Sequence, residues 1–222
     1  MAIKRNGIVP EDLARYVAEH SETPDDVLVA LSEVTERETG SAAGMQIGSD
    51  QGVLLEMLVR ATGRAGRSNW EPSPAIRRFT SRGLGEHGTL LCCDLSEEWT
   101  TIAREYWRRA GVEDRIELRL GPALRTLSSL GDDDQFDFAF VDAHKPEYAA
   151  YIEALHPHLR PGALVAVDNT LWSGRVLSPP SDAATDPDTA AIAAFNDSMA
   201  AGARFMTVVL AIGDGLTLLQ RR

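Results

Sequence analysis

The pattern of apolar and polar residues changes near Thr89. Beyond this residue, short apolar runs without polar alternation are separated by amphipathic stretches, which is typical of buried parallel strands joined by helices. The apolar runs are TLLCCDL, RIELRLG, FDFAFVDA and ALVAVDN, and the stretches between them are SEEWTTIAREYWRRAG, PALRTLSSL and PEYAAYIEALHPHLRPG. This repeated alternation predicts an α/β fold with a doubly wound, mostly parallel sheet.

The two ends of the chain depart from this alternation. Near the start, Asp25 and Asp26 open an apolar segment that Gly40 ends, and residues 52–61 (GVLLEMLVRA) place apolar side chains at helical spacing. We therefore predict N-terminal helices and treat residues 1–63 as a helical extension. At the other end, the turn Gly213-Asp214-Gly215 separates two apolar runs. The sheet should therefore end in an antiparallel hairpin strand.

Composition narrows the function classes. The 222 residues suffice for a single domain spanning 1–222. A formal net charge of -11 argues against binding to nucleic acid or to an anionic membrane, and no apolar run is long enough to span a bilayer. The start MAIKRNGIVPEDLARY lacks the apolar core of a signal peptide, so we expect a cytoplasmic protein. Adjacent Cys92 and Cys93 are predicted to be buried strand thiols.

Acidic residues end three of the predicted strands, and ligands of open α/β sheets bind beyond the carboxyl ends of strands. Asp94 closes LLCCD, where such folds place a carboxylate that accepts hydrogen bonds from a ribose diol. The alternative is that Asp94 caps the next helix, although Ser96 is better placed for that role.

Asp142, Asp168 and Asn169 supply oxygen ligands from two strand ends that should lie side by side. Two carboxylates and an amide suit a hard divalent ion such as Mg²⁺, although an aspartate taken alone is more often a cap or turn residue. Lys145 follows Asp142 closely enough to act as a general base near that ion, or it is a solvated surface lysine.

These residues lie within longer motifs that resemble a known family. FDFAFVDAHKPEY, LRPGALVAVDNTLWSGRV, DPDTAAIAAFND and IGDGLTLLQRR occur in the order found in the cation-dependent class I O-methyltransferases of the caffeoyl-CoA and catechol type. The resemblance runs from about Gly44 to the C-terminus. It implies one Rossmann-like methyltransferase domain that uses S-adenosylmethionine and a divalent cation, with Mg²⁺ expected. It also implies a small hydroxylated acceptor, catechol-like or phenylpropanoid-like, and a homodimer.

The resemblance also implies roles for individual residues. The metal ligands would be Asp142, Asp168 and Asn169, and the catalytic residues would be Lys145 and Asp142. The cofactor-binding residues would be Met45, Asp94, Pro122, Ala123, Asp142 and His144. Trp172 would contact the acceptor, and His144 replaces the acidic residue that most bacterial members carry.

One segment, residues 64–81, departs from the family. There the family has a strand ending in a glycine-rich turn of the type VELGTFTGYSA, whose amides hold the cofactor's methionine moiety, whereas this chain has RAGRSNWEPSPAIRRFTS. Its two prolines and four arginines suit a central strand poorly, so we expect an irregular segment and a missing or shortened first strand. Read one base earlier with suitable codons, the segment can encode the missing motif. We therefore hypothesise a local frameshift, which sequencing of the gene would test.

Two other functions remain open at this level. If the translated sequence is genuine, the missing glycine-rich turn could leave a non-catalytic family member that acts as a binding or structural protein. A nicotinamide-dependent dehydrogenase is a third interpretation, but the chain has no G-x-G-x-x-G motif and its C-terminal hairpin fits a methyltransferase better.

Overall fold

The apolar runs of the chain form the strands of its sheets. The computed structural model describes residues 9–23, 25–39, 47–62, 68–70 and 88–222. The strands are β1 (Ser68–Trp70), β2 (Leu90–Asp94), β3 (Ile116–Leu120), β4 (Phe136–Val141), β5 (Leu159–Asp168), β6 (Phe205–Leu210) and β7 (Leu216–Arg221). The α-helices are α1 (Glu11–Glu19), α2 (Asp26–Thr39), α3 (Ser49–Ala61), α4 (Glu97–Arg109), α5 (Ala123–Ser128), α6 (Tyr148–Leu155) and α7 (Pro187–Ala201).

The strands pair in two sheets that lie side by side. One has the order β1-β2-β3 and is parallel, and the other has the order β4-β5-β7-β6. In the second sheet β4 and β5 are parallel, whereas β7 runs antiparallel to both β5 and β6. Strand β1 also lies next to β4, so the sheets adjoin at this point. The predicted α/β fold with N-terminal helices and a C-terminal antiparallel hairpin is thereby confirmed.

The central strands carry the core. Every residue of β2 and β4 is buried, and the adjacent thiols of Cys92 and Cys93 are both 0% exposed, as predicted. Strand β3 differs from the prediction that every apolar run is covered on both faces, because only parts of its side chains are buried. It pairs with β2 and alternates charged Glu117 and Arg119 with apolar residues, as suits a strand with a solvated face.

Strand β5 begins earlier than predicted. The sequence pattern assigns LRPG to the amphipathic stretch before ALVAVDN, and proline and glycine disfavour strand interiors, yet Leu159 already pairs with Phe136 of β4. The register shifts between Phe136 and Phe138, so β5 accommodates Pro161 at an irregularity in the ladder. The long strand delivers Asp168 to the sheet edge where β4 also ends.

Some sequence predictions concern residues that the structure does not describe. Of the unusual segment 64–81, residues 68–70 form β1, a three-residue strand in register with residues 90–92 of β2. The other residues of that segment, including the two prolines, lie outside the described residues, and so does Met45. The irregular segment therefore stays a prediction. None of the helices in the described ranges is long and apolar enough to cross a membrane.

Candidate active site

Strands β4 and β5 bring the predicted metal ligands to one edge of the sheet. Val141, the last residue of β4, pairs with Val167, so Asp142 and Asp168 follow neighbouring positions at the carboxyl ends of two parallel strands. Asn169 comes next with φ 57°, a left-handed conformation that asparagine tolerates better than most residues. Its backbone N–H donates to Asp168 Oδ1 over 2.8 Å, which turns the chain and fixes the carboxylate.

The Lys145 ammonium lies at the centre of this group of oxygens. Its Nζ atom donates to Asp142 Oδ1 at 3.0 Å and to Asn169 Oδ1 at 2.8 Å. It donates as well to the hydroxyl of Tyr148 at 2.7 Å. An ammonium carries three N–H donors, so these three oxygens satisfy all of them. The structure therefore brings together three of the predicted catalytic and metal-binding residues around one positive charge.

Tyr148 connects Lys145 to the end of β5. The tyrosine is 1% exposed, and its hydroxyl accepts from Lys145 while donating to the backbone carbonyl of Asp168 over 2.9 Å. Burial raises the pKa of Tyr148 well above its ordinary value, and the nearby Asp142 and Asp168 carboxylates raise it further. The hydroxyl therefore stays protonated and can keep both hydrogen bonds.

The neighbours of Asp168 stabilise its negative charge only in part. The side chain is 3% exposed, and burial raises its pKa to about 7, with the neighbouring Asp142 carboxylate raising it in the same direction. The Asn169 N–H, the Gln51 amide and the Lys145 ammonium act in the opposite direction, but together they offset the effect only in part. A pair of carboxylates with this environment favours an additional cation.

Gln51 of α3 lies close enough to Asp168 to act on the pKa of its carboxyl group. Its side chain is 2% exposed, and its Nε2 atom makes no hydrogen bond of normal geometry with any described residue. Gly213 packs against the same amide, because a Cβ atom there would fall 2.4 Å from Gln51 Oε1. Sequence reasoning missed Gln51, since a single polar residue within a helical pattern carries no local signal of burial.

The loop after β5 is held by the hairpin turn between β6 and β7. Thr170 N–H donates to Gly215 O and Leu171 N–H donates to Asp214 O, both over 3.0 Å. A Cβ atom on Gly215 would fall 2.4 Å from the Leu171 backbone nitrogen, so only glycine allows this approach. Asn196 of α7 adds a hydrogen bond of 2.7 Å to Thr170 O. The hairpin predicted from Gly-Asp-Gly is thus also a support for the site.

Trp172 stands beside Lys145 at the start of this loop. Lys145 Nζ is 5.7 Å from the centre of the indole ring, and the Arg175 guanidinium carbon is 4.8 Å from it, so both cations are within cation–π range. Trp172 and Ser173 have φ 47° and φ 54°, a strained conformation of the kind found at functional sites. Arg175 also pairs with Asp186, the N-cap of α7, at 3.3 Å.

The end of β2 forms a second polar edge. Asp94 is 1% exposed, and its Oδ1 atom accepts from Ser96 N–H over 2.8 Å. The backbone carbonyl of Asp94 accepts from Gly121 N–H over 2.8 Å, which ties the ends of β2 and β3 together. Ser96 is the N-cap of α4, with its Oγ accepting from Trp99 N–H, so the preference for serine over aspartate as the cap is confirmed.

Three other residues predicted to bind the cofactor also follow strands, Pro122 and Ala123 after β3 and His144 after β4. Pro122 is exposed at the N-cap of α5, and Ala123 is buried in its first turn. His144 is exposed two residues after Asp142 and accepts a backbone hydrogen bond from Glu147 N–H. The role of these residues in cofactor binding stays a prediction. Sequence reasoning missed Tyr148, whose position depends on the turn that follows Lys145.

The donor set suits a divalent ion. No cluster of three or more His, Cys, Asp or Glu side chains capable of binding a metal occurs within the described ranges, so the third protein ligand would have to be the Asn169 amide oxygen. Oxygen donors of this kind suit Mg²⁺ or Mn²⁺. Two of the three predicted ligands already converge on a cation, the Lys145 ammonium, which shows that their oxygens can face one positive charge.

Comparisons with known proteins place this geometry in context. A family model described as O-methyltransferase matches residues 18–222. Caffeoyl-CoA O-methyltransferase 2 of Zea mays is 33% identical over 222 residues, covering 95% of this chain and 83% of the maize protein. The Bacillus cereus O-methyltransferase, solved in complex with SAH, is 27% identical with a TM-score of 0.84, covering 95% of this chain and 97% of that one. TomG of Streptomyces achromogenes, an O-methyltransferase solved with SAM, is 25% identical with a TM-score of 0.83, covering 95% and 96%.

Proposed function

The chain belongs to the O-methyltransferase family, and from this premise we propose that it transfers a methyl group from S-adenosylmethionine to a hydroxyl of a small acceptor held near a divalent cation. The observation that carries the proposal is the convergence of Asp142, Lys145 and Asn169, with Asp168 beside them, at one edge of the sheet. An acidic, oxygen-rich group of this kind suits the binding of a cation and a hydroxylated molecule.

Residues at the end of β2 would bind the cofactor. The Asp94 carboxylate is buried and can accept hydrogen bonds from a ribose diol, while Ala123 packs at the start of α5 where an adenine would lie. Two structural relatives, from Bacillus cereus and Streptomyces achromogenes, were solved with SAH and SAM. When bound, S-adenosylmethionine supplies an electrophilic methyl group on its sulfonium.

Asp142, Asp168 and Asn169 would hold the divalent ion. When bound, the ion would make an acceptor hydroxyl easier to deprotonate. The role of Asp168 follows from its burial, since a carboxylate with a raised pKa gains most from a nearby cation. The hydrogen bond from the Asn169 N–H keeps one Asp168 oxygen fixed, so that the carboxylate does not have to reorient.

Lys145 would be the general base, and Trp172 would form a wall of the acceptor site. The amine lies between the predicted ligands and the indole ring, so it can reach a hydroxyl placed between them. An aromatic wall favours a flat acceptor such as a catechol or a phenylpropanoid. The name of the maize relative, a caffeoyl-CoA O-methyltransferase, supports the same acceptor class.

An acceptor panel tests the proposal. Catechols, flavonoids and acyl-CoA phenols would be incubated with S-adenosylmethionine and Mg²⁺, and the formation of S-adenosylhomocysteine would be measured. We expect turnover of at least one vicinal diol, and loss of that turnover on addition of a chelator. Turnover that survives the chelator would refute the divalent-ion dependence. Light scattering of the same preparation tests the expected homodimer.

A non-catalytic binding or structural role is the second candidate. It is favoured by the sequence of residues 64–81, which lacks the glycine-rich turn expected to hold the cofactor's methionine end. Titration with S-adenosylmethionine separates the two, because an inactive member would show no saturable binding.

A further inference from the structure

Lys145 occupies the place that a divalent ion would need. The Nζ atom lies 3.0 Å from Asp142 Oδ1 and 2.8 Å from Asn169 Oδ1, and these are two of the three proposed ligand atoms. A Mg²⁺ ion bound to the same oxygens would stand about 2.0–2.1 Å from each, and therefore close to the position of the ammonium. We infer that Lys145 is an internal counterion that competes with the divalent ion, and that metal binding displaces it. This inference rests on the proposed metal site.

The charges around Lys145 make it unfavourable for the ammonium and a divalent ion to share the same oxygens. The side chains of Lys145 and Asp142 are only 11% and 18% exposed, so solvent screens their interactions weakly. In the observed arrangement the ammonium compensates Asp142 and the nearby Asp168. A divalent ion at the same oxygens would add a second and larger positive charge that repels the ammonium. The lysine would then have to give up its hydrogen bonds to Asp142 and Asn169.

Tyr148 and Trp172 indicate where the displaced amine would move. Tyr148 still offers its hydroxyl, and the Trp172 ring, whose centre is 5.7 Å from Nζ, lies on the side where the acceptor is proposed to bind. The displaced ammonium would then lie on the acceptor side of the site, and it could act there as a general base only after releasing one proton to solvent.

The test measures Mn²⁺ affinity directly rather than through turnover. Chelator-treated wild type, Lys145→Met and Arg175→Met would be titrated with Mn²⁺ by calorimetry at one pH and ionic strength. Lys145→Met should bind Mn²⁺ about tenfold more tightly or better, because the competing charge is gone. Arg175→Met is the matched control: its guanidinium contacts the same Trp172 ring and pairs with Asp186, and none of its observed partners is a proposed ligand. We expect it to change the affinity by no more than about twofold.

Thermal unfolding provides a second readout. The rise in Tm on adding Mn²⁺ should be larger for Lys145→Met than for wild type, because a tighter ligand stabilises the native state more at the same concentration. An unchanged or weaker Mn²⁺ affinity in Lys145→Met, or an equal or smaller rise in Tm, would overturn the inference and leave the metal site standing. If neither wild type nor Lys145→Met shows saturable Mn²⁺ binding, the proposed metal site fails and the inference fails with it.

Discussion

The ends of β2 and β5 present the same residue type in two different settings. Asp94 and Asp168 are both aspartates at the carboxyl end of a strand, 1% and 3% exposed, and each accepts a hydrogen bond from a backbone N–H just after it. They differ in what surrounds them. Asp94 is held within the turn that begins α4, whereas Asp168 faces Asp142 and the Gln51 amide, brought in from other elements.

This difference in neighbours separates two kinds of chemistry. A buried carboxylate held by the turn that follows it is suited to accept hydrogen bonds from neutral hydroxyls. A buried carboxylate beside a second one favours a cation, because burial and the neighbouring Asp142 charge raise the pKa of Asp168. On the roles proposed here, one fold places a cofactor site and a metal site at the carboxyl ends of β2 and β5 by changing the surroundings of an aspartate.

Of the changes that test this comparison, removal of the Asp168 carboxylate should have the largest effect, on both divalent-ion binding and turnover. We expect Asp168→Ala to lose divalent-ion binding and all metal-dependent turnover, because the site loses one of its two carboxylates. Methyl transfer and Mn²⁺ titration would measure both losses. Asp137→Ala is a matched control, because Asp137 is a buried aspartate at the start of β4 that pairs with Arg160 at 3.0 Å. It should lower stability and leave Mn²⁺ affinity unchanged. Turnover by Asp168→Ala in the presence of a chelator would contradict the assignment.

The second-largest effect is expected where the β6–β7 hairpin supports the chain that follows β5. Gly215→Ala should lower the free energy of unfolding by about 2–5 kcal/mol, because left-handed strain adds to the collision with the Leu171 backbone. Gly162→Ala is the control for strain alone, since Gly162 has φ +83° and nothing lies within 4 Å of its added Cβ. It should cost about 1–2 kcal/mol. Urea denaturation would measure both, and equal losses would show that the contact with Leu171 is unimportant.

A smaller effect is expected at the end of β2. Asp94→Ala should weaken S-adenosylmethionine binding by about 1–3 kcal/mol, the cost of leaving buried hydrogen bonds unmade, while Mn²⁺ affinity stays as in wild type. Calorimetric titration with S-adenosylmethionine and, separately, with Mn²⁺ would measure the two affinities. An unchanged dissociation constant for S-adenosylmethionine would place the ribose elsewhere.

The smallest effect concerns the helix that follows Asp94. Ser96→Ala removes the side chain that caps α4 and should cost about 1 kcal/mol of stability. Because the Ser96 backbone N–H remains available to Asp94, cofactor affinity should change little. A loss of cofactor binding as large as that of Asp94→Ala would mean that the helix cap, rather than the Asp94 carboxylate, determines cofactor affinity at the end of β2.

Sequence reasoning could locate the aspartates but only some of their surroundings. Asp94, Asp142 and Asp168 were predictable because each ends an apolar run, and Ser96 was predictable because helix capping is a local rule. The early start of β5 was not predictable, since its pairing with Phe136 outweighs the local preferences of proline and glycine.

The contacts that sequence reasoning missed join distant parts of the chain. Gln51 reaches Asp168 from α3, and Gly215 meets Leu171 only because the β6–β7 hairpin folds back onto the end of β5. Nothing within a few residues of either position announces these contacts. The roles proposed for the predicted site residues remain predictions, and Met45 and most of residues 64–81 lie outside the described residues.

The two buried cysteines of β2 give the molecule an internal reporter. Because Cys92 and Cys93 are consecutive in a strand, their side chains point to opposite faces of the sheet, and neither sulfur is accessible in the native state. A thiol-reactive dye can therefore label either residue only after the side chains packed on that face have moved away or β2 has left the sheet. The rate of dye incorporation at each sulfur thus reports how often the corresponding face of β2 becomes exposed to solvent.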